Sequence, residues 1–140
     1  MQNKAKFFLV DDDRDDQDFF KDVLQEIDPL IECITAINGI EAVAILQKRR
    51  ANLPDCIFLD LNMPLMGGRD FLKHIRKNEA YQNVPVIIYS TSSDERDKEE
   101  TKALGASYFL SKPTSILELK QQIEFVMANI LVKEGMGQKF

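Results

Sequence analysis

Five short apolar runs constrain this chain more than any other feature, because four of them stop abruptly at a charged or hydroxyl-bearing residue. Phe7-Phe8-Leu9-Val10 ends in Asp11, Cys56-Ile57-Phe58-Leu59 in Asp60, Val84 to Tyr89 in Ser90, and Tyr108-Phe109-Leu110 in Ser111-Lys112-Pro113; Leu30 to Thr35 is the fifth run. A strand with one wet face alternates apolar and polar residues. These runs mostly do not, which predicts strands covered on both faces. The stretches between them carry helical spacing: Phe20, Val23, Leu24 and Ile27 in the first, Leu119, Ile123, Val126 and Ile130 in the last, with charge on the opposite faces. Start signals agree. Ser92 with Glu95 and Ser115 with Glu118 fit a capping box, and Asn38 with Glu41 fits it loosely; Gly105 stands where a helix would end. The expected fold is α/β, a strand and a helix repeated five times, with a doubly wound five-stranded parallel sheet and right-handed crossovers.

At 140 residues the chain fits one domain. We take that domain as residues 1–132, followed by a polar, Gly-containing tail at 133–140 that is expected to fray. Hydrophobic residues make up 44%, enough for a core. A net charge of −5 disfavours direct binding to a phosphate backbone, so no nucleic-acid partner is expected. No apolar run approaches the roughly 20 residues of a membrane helix, and the start is not a secretory signal. Cys33 and Cys56 lie inside apolar runs at a spacing that matches no zinc pattern. They read as two reduced thiols of a cytoplasmic protein.

In open parallel sheets ligands bind beyond the carboxyl ends of the strands. Those ends here supply Asp11, Asp12 and Asp13, then Asp60 and Asn62, then Ser90 and Thr91, then Lys112. Two like charges about 4 Å apart cost roughly 4 kcal/mol at an effective dielectric near 20. Crowded carboxylates at Asp11, Asp12 and Asp60 therefore call for a proton or a cation. A hard divalent ion, Mg²⁺ before Ca²⁺, suits carboxylates, a carbonyl and a phosphoryl oxygen. Beside it an aspartate can act as nucleophile toward a phosphoryl group, with a lysine ammonium neutralising the transferring oxygens and a serine hydroxyl reporting the group's presence.

Phe8-Leu9-Val10-Asp11-Asp12, Phe58-Leu59-Asp60-Leu61-Asn62-Met63-Pro64-Leu65-Met66-Gly67-Gly68, Ile88-Tyr89-Ser90-Thr91 and Phe109-Leu110-Ser111-Lys112-Pro113 resemble the receiver domains of two-component response regulators, from about Lys6 to Leu131. The resemblance implies a flavodoxin/CheY-like sheet of strand order 2-1-3-4-5. It implies Asp60 as the phosphoacceptor, Asp12 as a direct Mg²⁺ ligand, Asp11 as one acting partly through water, and the Asn62 backbone carbonyl as a further ligand. Lys112 would pair with phosphate, through a cis bond to Pro113. Ser90 would be the switch hydroxyl, Phe109 the aromatic that turns inward on activation, and Met63-Pro64 with Gly68 the loop shaping the pocket. Asn62 and Ser92 stand where the family tunes hydrolysis. A cognate histidine kinase or phosphotransfer protein would supply the phosphoryl group. With no effector domain after Leu131, output would be a contact with a downstream protein or a phosphorylation-dependent homodimer in place of a monomer.

Three positions depart from the family pattern. Gly67 replaces a common Asp, Phe109 lacks the hydroxyl of the commoner Tyr, and Asp13 is an extra acid, read as solvated or helix-capping. His74, the Lys48-Arg49-Arg50 run and the Asp94 to Glu100 run read as solvated helix surface, the last being where this family places its output face. Two other classes stay open. A phosphohydrolase would need an acid two residues after Asp60, where Asn62 stands. A receiver-like module that is never phosphorylated would not need the full set Asp11, Asp12, Asp60, Ser90 and Lys112.

Overall fold

The computed structural model describes residues 5–136 and, beyond Leu131, the backbone alone. Its strands are β1 (Lys6–Val10), β2 (Glu32–Ala36), β3 (Cys56–Leu59), β4 (Val86–Ser90) and β5 (Tyr108–Ser111), alternating with helices α1 (Arg14–Ile27), α2 (Gly39–Lys48), α3 (Gly68–Arg76), α4 (Glu95–Ala103) and α5 (Ile116–Val126). A 3₁₀ turn at Glu79–Tyr81 precedes β4, and wide π-type turns continue α5 over Met127–Met136. The tail set apart at 133–140 overlaps that last segment, and residues 137–140 lie outside the described residues. All strand pairs are parallel, in the order β2-β1-β3-β4-β5.

Side chains alternate across a strand, so a run without polar residues feeds two cores at once. Phe8, Val10, Ile57, Leu59, Val86 and Ile88 pack with Leu46 of α2 and Phe71, Leu72 and Ile75 of α3. Phe7, Leu9, Phe58, Ile87 and Tyr89 face Phe20, Val23 and Leu24 of α1 and Leu119, Ile123 and Val126 of α5. The second core holds an aromatic knot in which Phe58 lies 5.9 Å from Phe7, 4.9 Å from Phe20 and 5.7 Å from Tyr89 between ring centroids. Both thiols are free; Cys56 is fully buried in β3, and Cys33 is half-buried in the edge strand β2.

Some boundaries differ from the sequence expectation. β2 begins at Glu32 because Asp28 turns the chain first: its Oδ1 accepts from the Leu30 N–H and its carbonyl from the Ile31 N–H. β4 begins after Pro85, which has no N–H for the ladder, although its carbonyl still accepts from the Ile57 N–H at 2.9 Å. α4 is capped by Asp94, not Ser92: Asp94 Oδ1 accepts from the Arg96 N–H, while Ser92 Oγ accepts from the Asp94 N–H and donates to Asp97. Ser115 and Asn38 do cap α5 and α2, and Asp13 caps α1. Gly105 ends α4 at φ +107, a conformation that L side chains rarely adopt, and a Cβ there would press on the Arg76 side chain. The Arg76 guanidinium reaches into the adjoining loops, donating to the carbonyls of Gly105, Tyr81 and Val84.

Candidate functional site

The register of the sheet aligns the ends of four strands. The Asp11 N–H donates to Ala36 O at 3.0 Å, the Asp60 N–H to Val10 O at 2.9 Å and the Lys112 N–H to Ser90 O at 2.8 Å. These bonds continue the ladder one residue beyond β1, β3 and β5 and leave the polar side chains at a single edge. There Asp11, Asp12 and Asp60 each place a carboxylate oxygen within 4.8 Å of the others. Lys112 reaches in from the end of β5, with Nζ 2.8 Å from Asp11 Oδ2, 2.9 Å from Asp16 Oδ2 and 3.8 Å from Asp60 Oδ2. The Tyr89 ring lies 5.6 Å from the same Nζ.

Burial governs the charges. Asp60 is 7% exposed, and desolvation raises its carboxyl from 3.8 to about 6; Lys112 and the Asn62 N–H oppose the rise, while Asp11 and Asp12 add to it. Asp11 is fully buried and raised for the same reason, against the pull of Lys112 and of the Asp13 N–H, which donates to Oδ1 at 3.0 Å. Burial alone would lower the Lys112 ammonium, but Asp11, Asp16 and Asp60 outweigh it and hold the pKa well above its ordinary value. The cluster fits a divalent cation. Asp11, Asp12 and Asp60 bring three hard carboxylate oxygens together, and the single Lys112 ammonium, 2.8 Å from Asp11 Oδ2, does not balance three acids.

The remaining predicted residues take definite places. Asp12 is the exposed member of the cluster, and Asn62 is exposed beside it. Ser90 is fully buried, and its Oγ accepts from the Ser92 N–H at 3.1 Å. Phe109 is half-buried, with Lys98 Nζ 5.9 Å above its ring, and lines a pocket of about 270 Å³ with Thr101, Lys102 and Ala106. The Lys112–Pro113 bond is trans, not the cis form implied by the resemblance. His74 is exposed, as expected of helix surface. Of the Asp94 to Glu100 run, Asp97 and Glu100 both pair with Arg69 at the start of α3, and Asp97 also accepts from Ser92 Oγ at 2.7 Å.

Two contributors were not evident from motif reading. Gln17 is 6% exposed and donates from Nε2 to Asp11 O at 2.7 Å, fixing the backbone that carries the acids. Its signal was present: it occupies the apolar stripe of α1 one turn before Phe20, and a polar residue on a buried stripe needs a partner. Asp16 left no such signal, because its partner Lys112 lies at the far end of the chain.

The loop after β3 is held by close backbone approach. The Gly68 N–H donates to Leu61 O at 3.0 Å, and a Cβ on Gly68 would overlap Asp60 O and come within 2.8 Å of Leu61 Cα. Both obstacles are main chain. Gly68→Ala is therefore expected to destabilise the fold by about 2–3 kcal/mol and to displace the main chain at Asp60 and Leu61. Unfolding by denaturant measures the first effect, and a variant as stable as the parent would show that the loop has room. Gly67, at the N-cap of α3, offers no side-chain hydrogen bond.

The sequence matches the profile of the response regulator receiver domain over residues 7–124. A protein-glutamate methylesterase/protein-glutamine glutaminase of Pyrococcus horikoshii is 38% identical over 88% of this chain, but the match spans only 34% of that protein's length. Response regulator Rcp1 of Synechocystis is 29% identical over 83% of this chain and 82% of its own. Among solved structures, the phosphorylated cyanobacterial phytochrome response regulator RcpA superposes with a TM-score of 0.82 at 30% identity, covering 94% of this chain and 96% of that one. A Mn²⁺-bound form of Rcp1 gives 0.78 at 27%, covering 91% and 94%. The expected strand order 2-1-3-4-5 is the order observed.

Proposed function

The chain belongs to the response regulator receiver domain family, and from that premise we propose that Asp60 takes a phosphoryl group from a phosphohistidine and that its charge switches a protein-binding surface. The observation that carries this reading is the convergence at one sheet edge of Lys112, from the end of β5, on Asp11 and Asp60, at 2.8 and 3.8 Å. Asp11, Asp12 and Asp60, with the Asn62 backbone carbonyl, would hold Mg²⁺. When bound, the ion supplies charge neutralisation at the phosphoryl oxygens; that Rcp1 has a Mn²⁺-bound form supports a divalent ion as a ligand of this chain. At pH 7 an acid held near 6 is mostly ionised. An Asp60 carboxylate oxygen can thus form the new bond to phosphorus as the phosphorus–nitrogen bond to the donor imidazole breaks. Lys112 and the Ser90 hydroxyl then engage the phosphoryl oxygens.

Ser90 Oγ accepts from the Ser92 N–H within its own loop. Turning that hydroxyl to a phosphoryl group would move the loop, α4 and Phe109 together. Changing a 1:99 equilibrium to 99:1 takes about 5.5 kcal/mol, and two charge-assisted hydrogen bonds at roughly 1.5–3 kcal/mol each are of that order. The donor is a histidine kinase or phosphotransfer protein, and the output is a downstream protein or a homodimer rather than nucleic acid or membrane. Among the described residues no helix is long and apolar enough to cross a membrane, and we place the protein in the cytoplasm.

Incubation with acetyl phosphate and Mg²⁺, followed by intact mass measurement, is expected to add one phosphoryl group per chain, and chelation by EDTA to prevent it. A wild-type chain that gains no mass would sink the proposal. Repeated turnover of a phosphoester would point to a hydrolase instead.

A further inference from the structure

An ammonium is a point charge with three N–H donors and no acceptor, so where it sits is set by the carboxylates nearest it. Lys112 gives a hydrogen bond to Asp16 Oδ2 at 2.9 Å and makes its closest ion-pair contact with Asp11, while Asp60 Oδ2 stays at 3.8 Å, beyond hydrogen-bond range. Asp16 differs in kind from the other two acids. It lies in the first turn of α1 rather than at a strand end, it is outside the three-carboxylate cluster, and its side chain is 37% exposed where that of Asp11 is fully buried. Water can replace Lys112 as its partner at little cost, which is not true of Asp11.

We infer that Asp16 is a positioning residue that competes with the phosphoacceptor for the Lys112 ammonium and so restrains phosphorylation. The inference rests on the receiver reading above. A phosphoryl group on Asp60 draws the ammonium toward its oxygens, and the lysine must loosen its bond to Asp16 to follow. The pair thus stabilises the unphosphorylated state relative to the phosphorylated one, and the carboxylate of α1 sets how readily the site loads.

The test compares the wild type with Asp16→Asn, Asp16→Glu and Asp15→Asn. The readouts are the initial rate of labelling by acetyl phosphate at saturating Mg²⁺ and the beryllofluoride concentration giving half-saturation. Asp15 is an exposed neighbour of the same charge with no contact to Lys112 among the described ion pairs, so it controls for net charge. Asp16→Asn is expected to label about fivefold faster and to half-saturate at about fivefold lower beryllofluoride, the worth of one part-exposed ion pair. Asp16→Glu and Asp15→Asn are expected to stay near wild type. Thermal unfolding of each variant confirms that it is folded, and loss of structure alone would weaken beryllofluoride binding, not tighten it. If Asp16→Asn labels no faster than the wild type, or Asp15→Asn gains as much, the restraint does not exist. If the wild type does not label, the receiver reading itself falls, and this inference with it.

Discussion

Asp60→Asn is expected to abolish labelling by acetyl phosphate, a fall of at least about a hundredfold, while making the metal-free protein more stable. The first effect follows from chemistry: an amide in the place of a carboxylate is not a nucleophile toward phosphorus. The second follows from burial. In the folded protein Asp60 is raised from 3.8 to about 6, chiefly by desolvation. The folded state therefore binds a proton more tightly than the unfolded chain does, and keeping this carboxylate ionised at pH 7 costs the fold up to about 3 kcal/mol. Between pH 6 and 4 the folded form holds the extra proton. The Asp60 contribution thus raises stability as pH falls through that window, opposite to an ordinary salt-bridged aspartate. An asparagine removes both the cost and its pH dependence, although it loses the attraction to Lys112, so a net gain of about 1–3 kcal/mol is expected at pH 7. Denaturant unfolding in EDTA at pH 7 and pH 5 measures it. A variant less stable than the parent at pH 7 would show that the lysine contact outweighs burial.

Phe58→Ala is expected to cost about 4 kcal/mol, a large fraction of what holds a domain of this size together. Phe58 is fully buried and touches Phe7, Phe20 and Tyr89 in edge or stacked contact, so its removal opens a cavity that β1, β4 and α1 would all have to collapse to fill. Rigid strands resist such collapse. The site should also suffer, because Asp60 stands two residues further along the same strand path. Urea unfolding checks the loss, and a cost under about 1.5 kcal/mol would mean that the aromatic knot repacks.

Much of the fold was legible because the two cores demand unbroken apolar strands, and such strands stand out. What sequence reading placed wrongly were the ends. The Asp28 turn delayed β2, Pro85 delayed β4 and Asp94 displaced Ser92 as the cap of α4. In each case the observed start lies two residues beyond the expected one, set by a side-chain turn at Asp28, a missing N–H at Pro85 and a side-chain cap at Asp94. Within the site, residues at strand ends were readable because parallel topology gathers those ends. Gln17 was readable in principle, as an amide on an apolar stripe. Asp16 was not, since nothing near it in the sequence distinguishes it from Asp15 or Asp18, and only the close approach of Lys112 does. The bond at Pro113 is trans here, where resemblance implied cis.

The two thiols give the molecule a pair of internal clocks. Cys33 lies on an edge strand, its thiol raised to about 11 mainly by burial; Cys56 sits in the central strand with no exposed surface, and burial holds its thiol well above the ordinary range. An alkylating reagent should therefore consume them in sequence, the first timing the peeling of one border and the second timing collective opening of the sheet. Occupancy at Asp60 would register as a change in the slower tick.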